Sequence, residues 1–515
     1  MSRLRIRSTP GARSIAWLLA LVVVAAGHAN VSHAKADEVS EHVAASTYIE
    51  LCSSCHGRQL EGGQGPSLID DRWLHGGDDD SIANSIAAGV PAKGMPGWSS
   101  VLSPQQIRDL VVFIEQKRLA AASGSRGIHD RDGQVPALPR EVQHSRLHDF
   151  RVEPFVDGLA EMPYGFAFLS PTRLLVTERR QALLRVVDNG RLLPDPVQGT
   201  PATHRHPSGA GALLDVAVHP QYRRNGWIYL SFADDPSTAV DSGRPEATMR
   251  SLVAVVRGRI VGNRWVDQQT LWQAPDDVRR VTADNEFFFG GRMAFDRRGH
   301  LYFSIGVPDA DRDEAQDLAL PRGKIFRLLD DGGIPRDNPF AARSGALPGI
   351  FSLGHRNPQG LAFDSNSAIL WSTEHGPRGG DELNRIMPGR NYGWPRFTYG
   401  TDYDGTAIAR QSTGEGFESP LQQWTPSIAI SALAVYDGRA FPRWQGSMFI
   451  GSLKAEQLLR VRVEAGKVVE VERILSDLGR IRDIQVGLDG CIYLLVEALG
   501  SKDRSRIIRL VPSGG

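Results

Sequence analysis

Short runs in which apolar and polar residues alternate recur along most of the chain. In six places such a run is followed by a turn that contains Gly or Asp and then by a second apolar run. A period of two is the spacing of a half-buried strand, so each copy predicts a β-hairpin. The six copies begin at Gly165, Leu214, Gly291, Gly360, Ala432 and Asp483.

The distance between copies indicates how the hairpins are assembled. Successive copies start roughly fifty to eighty residues apart, which is room for a four-stranded blade with loops. A β-sandwich would explain alternating strands equally well, but it would not explain six copies of one motif. We therefore predict a mainly β fold, a six-bladed β-propeller over residues 151–515.

Helical periodicity is found ahead of the hairpins. Ser103 and Pro104 form a helix start, and apolar residues then follow at helical spacing as far as Ile114. We expect a small all-α domain over residues 40–118. Residues 119–150 are first rich in Ala, Ser and Gly and then charged and irregular, which is typical of a linker.

The first 34 residues resemble an export signal. Basic residues precede an apolar run over 15–26, and Ser32 and Ala34 are small residues placed for cleavage. A run of this length is short for a bilayer span, although an uncleaved anchor remains an alternative. We expect cleavage near Ala34, no membrane span after it, and a periplasmic protein.

Composition narrows the range of partners. Lys plus Arg and Asp plus Glu both number 59, so no overall field favours nucleic acid. There are three cysteines. If two carry a cofactor, Cys491 is left alone, and a lone thiol is more often a small buried apolar group than a nucleophile.

The other two cysteines form the most informative motif of the chain. Cys52-Ser-Ser-Cys55-His56 is the pattern of a covalent haem c attachment site, with the histidine placed to ligate the iron. A zinc half-site or a redox dithiol would need a second ligand pair or a βαβ context, and neither follows. Met95, in a glycine-flanked loop, is the predicted sixth ligand. His75 is the alternative if the ligation is bis-histidine.

Five stretches of the propeller region are distinctive. They are Gly354–Gly360 (GHRNPQG), Thr373–Asn384 (TEHGPRGGDELN), Asn391–Pro395 (NYGWP), Ser452–Lys454 and Arg480–Asp483. In these stretches the chain resembles the soluble PQQ-dependent sugar dehydrogenases, the glucose/sorbosone and aldose sugar dehydrogenase group. The resemblance covers about Phe155 to Pro512, and the N-terminal domain looks like the cytochrome c modules fused to some of these enzymes.

The resemblance implies a cofactor pocket for PQQ, a planar quinone with three carboxylates. Arg480 and Arg482 are two apart in a strand-like run, so they point to one face, and guanidinium groups bind carboxylates in a bidentate manner. The other positions that match cofactor contacts, or a flat wall for the ring, are Arg356, Asn357, Lys454 and Trp394. Without these motifs, each of these Arg and Lys side chains would be interpreted as an ordinary charge on a solvated loop.

A calcium site is also implied by the resemblance, at Asp381, Glu382 and Tyr392. Carboxylates and carbonyls around a glycine-rich loop suit Ca²⁺, although a surface acidic turn would have the same sequence. Asp309 begins a run that superficially resembles an EF-hand, but Glu314 and Leu320 stand where that loop needs Gly and Glu.

Three polar active-site positions of the family are apolar here. The family histidine that takes the proton of the anomeric hydroxyl falls on Phe288, and a phenyl ring cannot accept a proton. The other two positions fall on Ala210 and Val307. Glu286 is a nearby ionisable substitute, but it reaches the sugar only after a register shift. His204 and His206 are further loop candidates.

Two functions therefore stay open. One is a periplasmic haem c quinoprotein that oxidises an aldose or related alcohol and passes electrons to a cytochrome or terminal oxidase. The other is a catalytically degenerate propeller that acts as a haem-carrying binding or electron-transfer protein. From the sequence we expect sugar oxidation to be slow, and Phe288→His to raise it on the order of 10²-fold.

Overall fold

The computed structural model describes residues 44–70, 72–77, 79–122, 136–204, 212–234, 252–275, 289–403, 406–498 and 504–514. They form a small helical domain followed by six antiparallel sheets. Among these residues, no helix has both the length and the apolar character needed to cross a membrane.

The helical domain is packed around its own apolar core. Residues 44–51 are helical, and the other helices are Ser53–His56, Asp79–Ala88, the 3₁₀ turn Pro91–Lys93, and Pro104–Ala122. Tyr48, Ile86 and Leu110 are buried in this core. The last helix starts where the sequence predicts. Ser103 Oγ accepts from the Gln106 amide at 3.2 Å, and Gln106 Oε1 accepts from the Ser103 amide at 2.9 Å, which is a capping box.

That helix ends at Ala122, eight residues beyond the Ile114 at which the apolar pattern stops. The strands begin at Gln143. The domain boundaries at 118 and 150 stay predictions.

Five of the sheets contain four consecutive strands each, and the sixth combines both ends of the propeller. The first three are β3 (Pro163–Phe168), β4 (Arg173–Glu178), β5 (Leu183–Asp188), β6 (Arg191–Leu192); β7 (Leu213–Val218), β8 (Ile228–Ala233), β9 (Val253–Val261), β10 (Arg264–Trp272); and β11 (Gly290–Phe295), β12 (Leu301–Ile305), β13 (Lys324–Leu328), β14 (Ile350–Leu353). The next two are β15 (Pro358–Asp364), β16 (Ile369–Glu374), β17 (Asp381–Ile386), β18 (Gln422–Trp424); and β19 (Ile430–Val435), β20 (Met448–Ser452), β21 (Leu458–Glu464), β22 (Lys467–Leu475).

The sixth sheet closes the ring. Its strands are β23 (Arg480–Val486), β24 (Ile492–Glu497), β25 (Ser505–Pro512), β2 (Asp149–Leu159) and β1 (Gln143–His144). Strand β2 pairs antiparallel with β25, so the first long strand of the propeller is joined to the last. The first strands of the blades, β3, β7, β11, β15, β19 and β23, contact one another in that order and back to β3. The predicted six-bladed propeller is confirmed, and each predicted hairpin is the first strand pair of one blade.

In the described parts of the loops between strands there are three short helical segments. They are Tyr222–Asn225 and the 3₁₀ segments Asp309–Gln316 and Pro442–Trp444. The second of them covers the run that superficially resembles an EF-hand. Its Asp309 pairs with Arg356, and its Asp311 pairs with Arg322 at 3.1 Å.

One buried arginine joins four of the six inner strands. Arg292 of β11 donates to the carbonyls of Gln359 in β15 at 2.8 Å and of Arg482 in β23 at 2.6 Å. Its Nη1 also lies 3.5 Å from Asp215 of β7 and 3.2 Å from Asp483 of β23. A buried polar network around Arg292 therefore ties together inner strands at the centre of the propeller.

Candidate functional site

In the haem motif, the surroundings of the His56 ring are those that an iron ligand needs. The His56 ring is buried, and its Nδ1 bonds the carbonyl of Pro66 at 2.9 Å. Such a carbonyl fixes the tautomer with the proton on Nδ1 and leaves Nε2 for iron. Gly65 lets the chain pass close to this ring, since a Cβ there would lie 2.8 Å from Cε1.

The other predicted haem residues surround the same core. Cys52 and Met95 are both partly buried against the apolar cluster of the helical domain, and Cys55 is partly exposed. Met95 is held by a β-bridge in which its carbonyl accepts from the Val90 amide at 2.9 Å. His75 is exposed. These contacts fit haem c, and the ligands themselves stay predictions.

The topology gathers the predicted cofactor residues at one face of the propeller. Arg480 and Arg482 start β23, and Arg356 and Asn357 directly precede β15. Lys454 follows the end of β20, where its amide donates to the Ile428 carbonyl at 3.1 Å. In each blade the first strand begins, and the antiparallel second strand ends, at the same face of the propeller. These residues therefore converge at that face.

Arg480 and Arg482 do point to one side, and they share a carboxylate that sequence reasoning missed. Glu497 accepts from Arg480 Nε at 2.9 Å and from Arg482 Nε at 2.6 Å. Burial alone would raise the pKa of Glu497, but Arg482 and Arg480 lower it to about 2. Arg482 is buried, whereas the Arg480 side chain keeps 29 % of its surface exposed.

A third arginine gives this cluster an excess of positive charge. Arg179 follows β4, and its guanidinium lies over the Tyr164 ring at 5.6 Å, where Arg482 also lies at 5.7 Å. Burial, and then the charge of Arg482, lower the pKa of Arg179 to about 10, so it remains a cation at neutral pH. Three guanidinium groups thus face one carboxylate, Glu497, which favours an anionic ligand.

Arg356 is held in a fixed orientation beside the cluster. Its Nε and Nη2 bind the Asp309 carboxylate at 3.1 and 2.9 Å, and its Nη1 donates to the carbonyl of His375 at 3.2 Å. The guanidinium lies 5.3 Å from the centre of the Trp394 ring. Asn357 is buried, and its Oδ1 accepts from Gln359 Nε2 at 3.0 Å.

Arg356, His375 and Trp394 line one cleft, together with main chain of the glycine-rich loop. The complete lining is Gly354, Arg356, Glu374, His375, Gly376, Gly380, Glu382, Tyr392, Trp394, Phe397 and Thr398. Two buried polar atoms here, His375 Nε2 and Trp394 Nε1, have no hydrogen-bond partner within the described ranges. Orphaned polar atoms beside fixed arginines are what a site for a flat polar anion would present.

The predicted calcium residues are only partly brought together. Asp381 is turned inward, where its carboxylate accepts from the Gly376 amide, the Ser427 hydroxyl and the Ile430 amide at 2.9, 2.8 and 3.1 Å. The Tyr392 hydroxyl donates to the Arg385 carbonyl at 2.5 Å and accepts from the Met387 amide at 2.9 Å. These hydrogen bonds stabilise the fold, and the calcium assignment of both residues stays a prediction.

Glu382 differs, because a second carboxylate lies nearby. Burial and the neighbouring Glu374 raise the pKa of Glu382 well above its usual value. One amide, Asn384 Nδ2, donates to both carboxylates at 2.9 Å. Across the part of the chain that the structure describes, however, no three His, Cys, Asp or Glu side chains form a group that could hold a metal ion.

Of the three family positions that differ in this chain, Phe288 and Ala210 lie outside the described residues. The possible substitutes Glu286 and His206 lie outside them as well. Val307 is described and fully buried, and its amide donates to the Arg356 carbonyl at 2.8 Å. Its apolar side chain therefore supplies packing under the site.

Comparison with known proteins places the chain in a family. Residues 160–509 match the family model of glucose/sorbosone dehydrogenases. The chain belongs to this family. Residues 41–114 match a second model, that of the cbb3-type cytochrome c oxidase subunit III, so a cytochrome c domain precedes the dehydrogenase domain.

Individual relatives agree with this assignment. The chain is 39 % identical over 352 residues to the aldose sugar dehydrogenase YliI of Escherichia coli, covering 67 % of this chain and 90 % of that protein. The apo structure of the soluble aldose sugar dehydrogenase of E. coli matches with 37 % identity and a TM-score of 0.63, over 70 % of this chain and 99 % of the other. The PQQ-bound aldose sugar dehydrogenase of Streptomyces coelicolor matches with 26 % identity and a TM-score of 0.54, over 73 % and 100 % of the two chains. The predicted PQQ-dependent sugar dehydrogenase-like oxidoreductase is confirmed.

Proposed function

We propose that the propeller oxidises an aldose or a related alcohol with PQQ and passes the electrons to haem c in its own N-terminal domain. When bound, PQQ supplies a hydride acceptor, and covalent haem supplies a one-electron acceptor. The proposal rests on one observation above all. The helical domain contacts the propeller at the rim of the cleft described above.

The contact involves the helices Asp79–Ala88 and Pro104–Ala122 of the haem domain. Asp79 accepts a hydrogen bond from Gln423 Nε2 of the propeller at 3.2 Å. The positive charge of Arg378 opposes the rise in pKa that burial causes at Asp109. The groove between the two domains is lined by Arg108, Val111 and Val112 on one side, and by Gly379, Tyr399 and Thr401 on the other.

A single loop lines both the groove between the domains and the cleft. Gly379 lines the groove below the haem domain, and the next residue, Gly380, lines the cleft beside Arg356 and Glu382. The linings of the groove and of the cleft are therefore joined through one peptide bond. This arrangement supports an internal acceptor rather than two unrelated modules on one chain.

For the cofactor, the orphaned atoms and the excess of positive charge support PQQ in the cleft. Arg179, Arg480 and Arg482 would hold carboxylates, and Trp394 would lie beside the ring. Arg356 and Lys454 would add charge, and Asn357 lies at the matching family position. Ca²⁺ is proposed at Glu382, where Glu374 adds a second negative charge and main-chain carbonyls of the glycine-rich loop are close.

The proposed function also implies the partners of the protein and its location in the cell. The sequence signal and the covalent haem favour the periplasm, where a small sugar or alcohol would be the substrate. A cytochrome or terminal oxidase would reoxidise the haem.

The decisive experiment follows haem reduction in protein reconstituted with PQQ and Ca²⁺ after D-glucose and other aldoses are added. We expect the reduced-haem absorption band to appear only when PQQ and sugar are both present. The double variant Asp79→Ala/Gln423→Ala should slow haem reduction but not reduction of an added dye. No PQQ binding would refute the quinoprotein proposal, and dye reduction without haem reduction in the unmodified protein would refute internal transfer.

A second candidate, a haem-carrying binding protein without turnover, is favoured by the apolar residues at 288 and 307. It predicts PQQ or sugar binding with no reduction of either haem or dye.

A further inference from the structure

We propose that Tyr164 is a positioning residue of the cofactor site, and that its ring holds the guanidinium of Arg179 in place to bind a carboxylate of PQQ. The inference rests on the proposed function. It comes from the place of these two residues in the first blade, and from the difference between Arg179 and the other arginines around the same ring.

The first blade places Tyr164 and Arg179 side by side at the face that carries the cofactor residues. Tyr164 is the second residue of β3, and Arg179 directly follows β4. The register pairs Pro163 with Glu178, so each of the two residues is one position from this pair. The Arg179 guanidinium lies 5.6 Å from the centre of the Tyr164 ring, which is within the range of a cation–π contact.

Two further guanidinium groups lie around the same ring, and both are fixed by carboxylates. Arg292 is 4.4 Å from the centre of the ring, and Arg482 is 5.7 Å from it. Arg292 Nη1 lies 3.2 Å from the carboxylate of Asp483. Arg482 Nε donates to Glu497 at 2.6 Å. These two arginines would therefore keep their orientation without the ring.

Arg179 has no such carboxylate. It forms no ion pair with any residue that the structure describes, and its Nε is buried without a hydrogen-bond partner there. The side chain as a whole is half-buried, and Nη1 and Nη2 are not among the buried atoms that lack a partner. The ring of Tyr164 thus orients the buried end of the guanidinium, and the two Nη groups keep accessible surface. This end of the fork binds a carboxylate in a bidentate manner.

Tyr164 is suited to this role because its own position is fixed. The residue keeps 1 % of its surface exposed and packs in an apolar cluster with Leu214 and Phe289. Its hydroxyl donates to the Gly290 carbonyl. A long arginine side chain that rests on a fixed ring loses less conformational entropy when its ligand binds, and this raises the affinity for the ligand.

The arrangement gives the proposal a specific signature. Loss of the Tyr164 ring should displace Arg179 and leave Arg482 in place. Besides its bond to Glu497, Arg482 donates from Nη1 to Gln359 Oε1 at 3.2 Å. An effect of Tyr164 on the cofactor should therefore pass through Arg179.

The first test uses the apoprotein and does not depend on PQQ or on activity. Nitrogen-15 NMR of arginine-labelled protein, assigned with Arg179→Met, should show the Arg179 Nε–H signal displaced by the ring current of Tyr164. The signal should stay in place in Tyr164→Phe and move towards that of a solvated arginine in Tyr164→Leu. A signal at the position of a solvated arginine in the unmodified protein would overturn the proposal, and so would a signal that Tyr164→Leu leaves unchanged.

The second test measures PQQ affinity by isothermal titration calorimetry. Tyr164→Leu should weaken binding by about tenfold, the size of a desolvated cation–π contact. Tyr164→Phe keeps the ring and loses the hydroxyl, so its affinity should stay within about threefold of the unmodified protein. A loss in Tyr164→Phe as large as in Tyr164→Leu would contradict a role of the ring.

Tyr436→Leu is the matched control. Tyr436 is also fully buried, its hydroxyl donates to the Gly490 carbonyl at 2.7 Å, and among the described residues no arginine lies over its ring. The variant makes the same change in the fifth blade, beyond the end of β19, so PQQ affinity should stay within about threefold of the unmodified protein. A loss equal to that of Tyr164→Leu would assign the effect to general destabilisation and overturn the proposal.

A cycle of variants shows whether Tyr164 acts through Arg179. Arg179→Met should weaken PQQ binding by about 10–10²-fold, because hydrogen bonds to a charged group are lost. In that background Tyr164→Leu should add less than about twofold, since the guanidinium that the ring positions is gone. An equal loss in both backgrounds would overturn the proposal. Unchanged affinity in Arg179→Met would overturn it too, whether or not Tyr164→Leu folds.

The outcomes separate this proposal from the proposed function. Tight PQQ binding that does not depend on Tyr164 would exclude the positioning role and leave the quinoprotein function intact. Absence of PQQ binding in the unmodified protein would refute the proposed function and with it the role of Arg179 towards PQQ. The NMR result on the apoprotein would still report whether the ring holds the guanidinium.

Discussion

Arg292 and Asp483 face each other across the central channel with 3.2 Å between Nη1 and the carboxylate oxygen. They lie on β11 and β23, blades that are not neighbours in the ring. Through Asp215 and the Gln359 carbonyl, the same guanidinium also reaches β7 and β15. The Arg292 side chain thus joins four inner strands. We therefore expect it to contribute more to the stability of the propeller than an ordinary surface ion pair does.

We expect Arg292→Met to lower the free energy of unfolding by about 3–5 kcal/mol, because it leaves Asp215 and Asp483 buried without their cation. Urea unfolding followed by tryptophan fluorescence measures the change. Arg297→Met, at an exposed position beyond the same strand, is the matched control and should change the stability by less than about 0.5 kcal/mol. Equal stabilities for the two variants would contradict this role of Arg292.

The second prediction concerns acid stability. Glu497 has a pKa of about 2 in the folded protein, below the usual value near 4.5, because Arg482 and Arg480 hold its charge against burial. Its stabilising contribution is therefore complete above about pH 5 and is lost as the pH falls towards 2, and it amounts to about 3 kcal/mol.

Glu497→Gln should remove that contribution and flatten the fall in stability between about pH 5 and 2. Urea unfolding at several pH values compares the slopes of variant and unmodified protein. Asp489→Asn, which removes another carboxylate of the same sheet, controls for the loss of one acidic group. Identical slopes for Glu497→Gln and the unmodified protein would mean that the arginines do not hold this carboxylate.

Much of the fold could be predicted from the sequence, because the period-two hairpins are local and repeat six times. The partners of the site residues could not. Glu497 is the cross-strand partner of Arg480 in the β23–β24 hairpin, and the sequence pattern does not specify that register. Asp309 lies 47 residues before Arg356, so only the packing of a loop against the start of β15 brings these two charges together. His375 lies in the Thr373–Asn384 stretch, but no sequence pattern shows that its Nε2 lacks a partner among the described residues. The calcium assignment of Asp381 stays a prediction, because a carboxylate in a glycine-rich turn has the same sequence whether it faces a cation or its own backbone amides.

The haem ligands give a prediction with a direct spectroscopic signal. Met95→Ala should abolish the weak near-infrared methionine–iron band and lower the reduction potential, since a thioether ligand raises it. His75→Ala should leave both unchanged, because His75 is exposed. If the unmodified protein shows a bis-histidine spectrum and His75→Ala loses it, His75 rather than Met95 is the sixth ligand.

The linker assignment can be tested by limited proteolysis. The Ala/Ser/Gly-rich segment between Ser123 and Arg131 should be cut first and should release a haem-containing piece and a propeller. The two pieces meet through contacts such as the hydrogen bond from Gln423 to Asp79, and gel filtration after cleavage measures whether they stay associated. Cleavage elsewhere, or a propeller piece that unfolds, would contradict the domain boundaries.

The last prediction concerns Phe288. The family histidine that takes the proton of the sugar hydroxyl falls on Phe288, and a phenyl ring cannot accept a proton. We expect Phe288→His to raise sugar oxidation on the order of 10²-fold, because it supplies the base at the position where the family has one. Rates of haem reduction by D-glucose in the variant and in the unmodified protein, both with PQQ and Ca²⁺ present, measure the gain. Equal rates in the two proteins would mean that the missing histidine does not limit sugar oxidation.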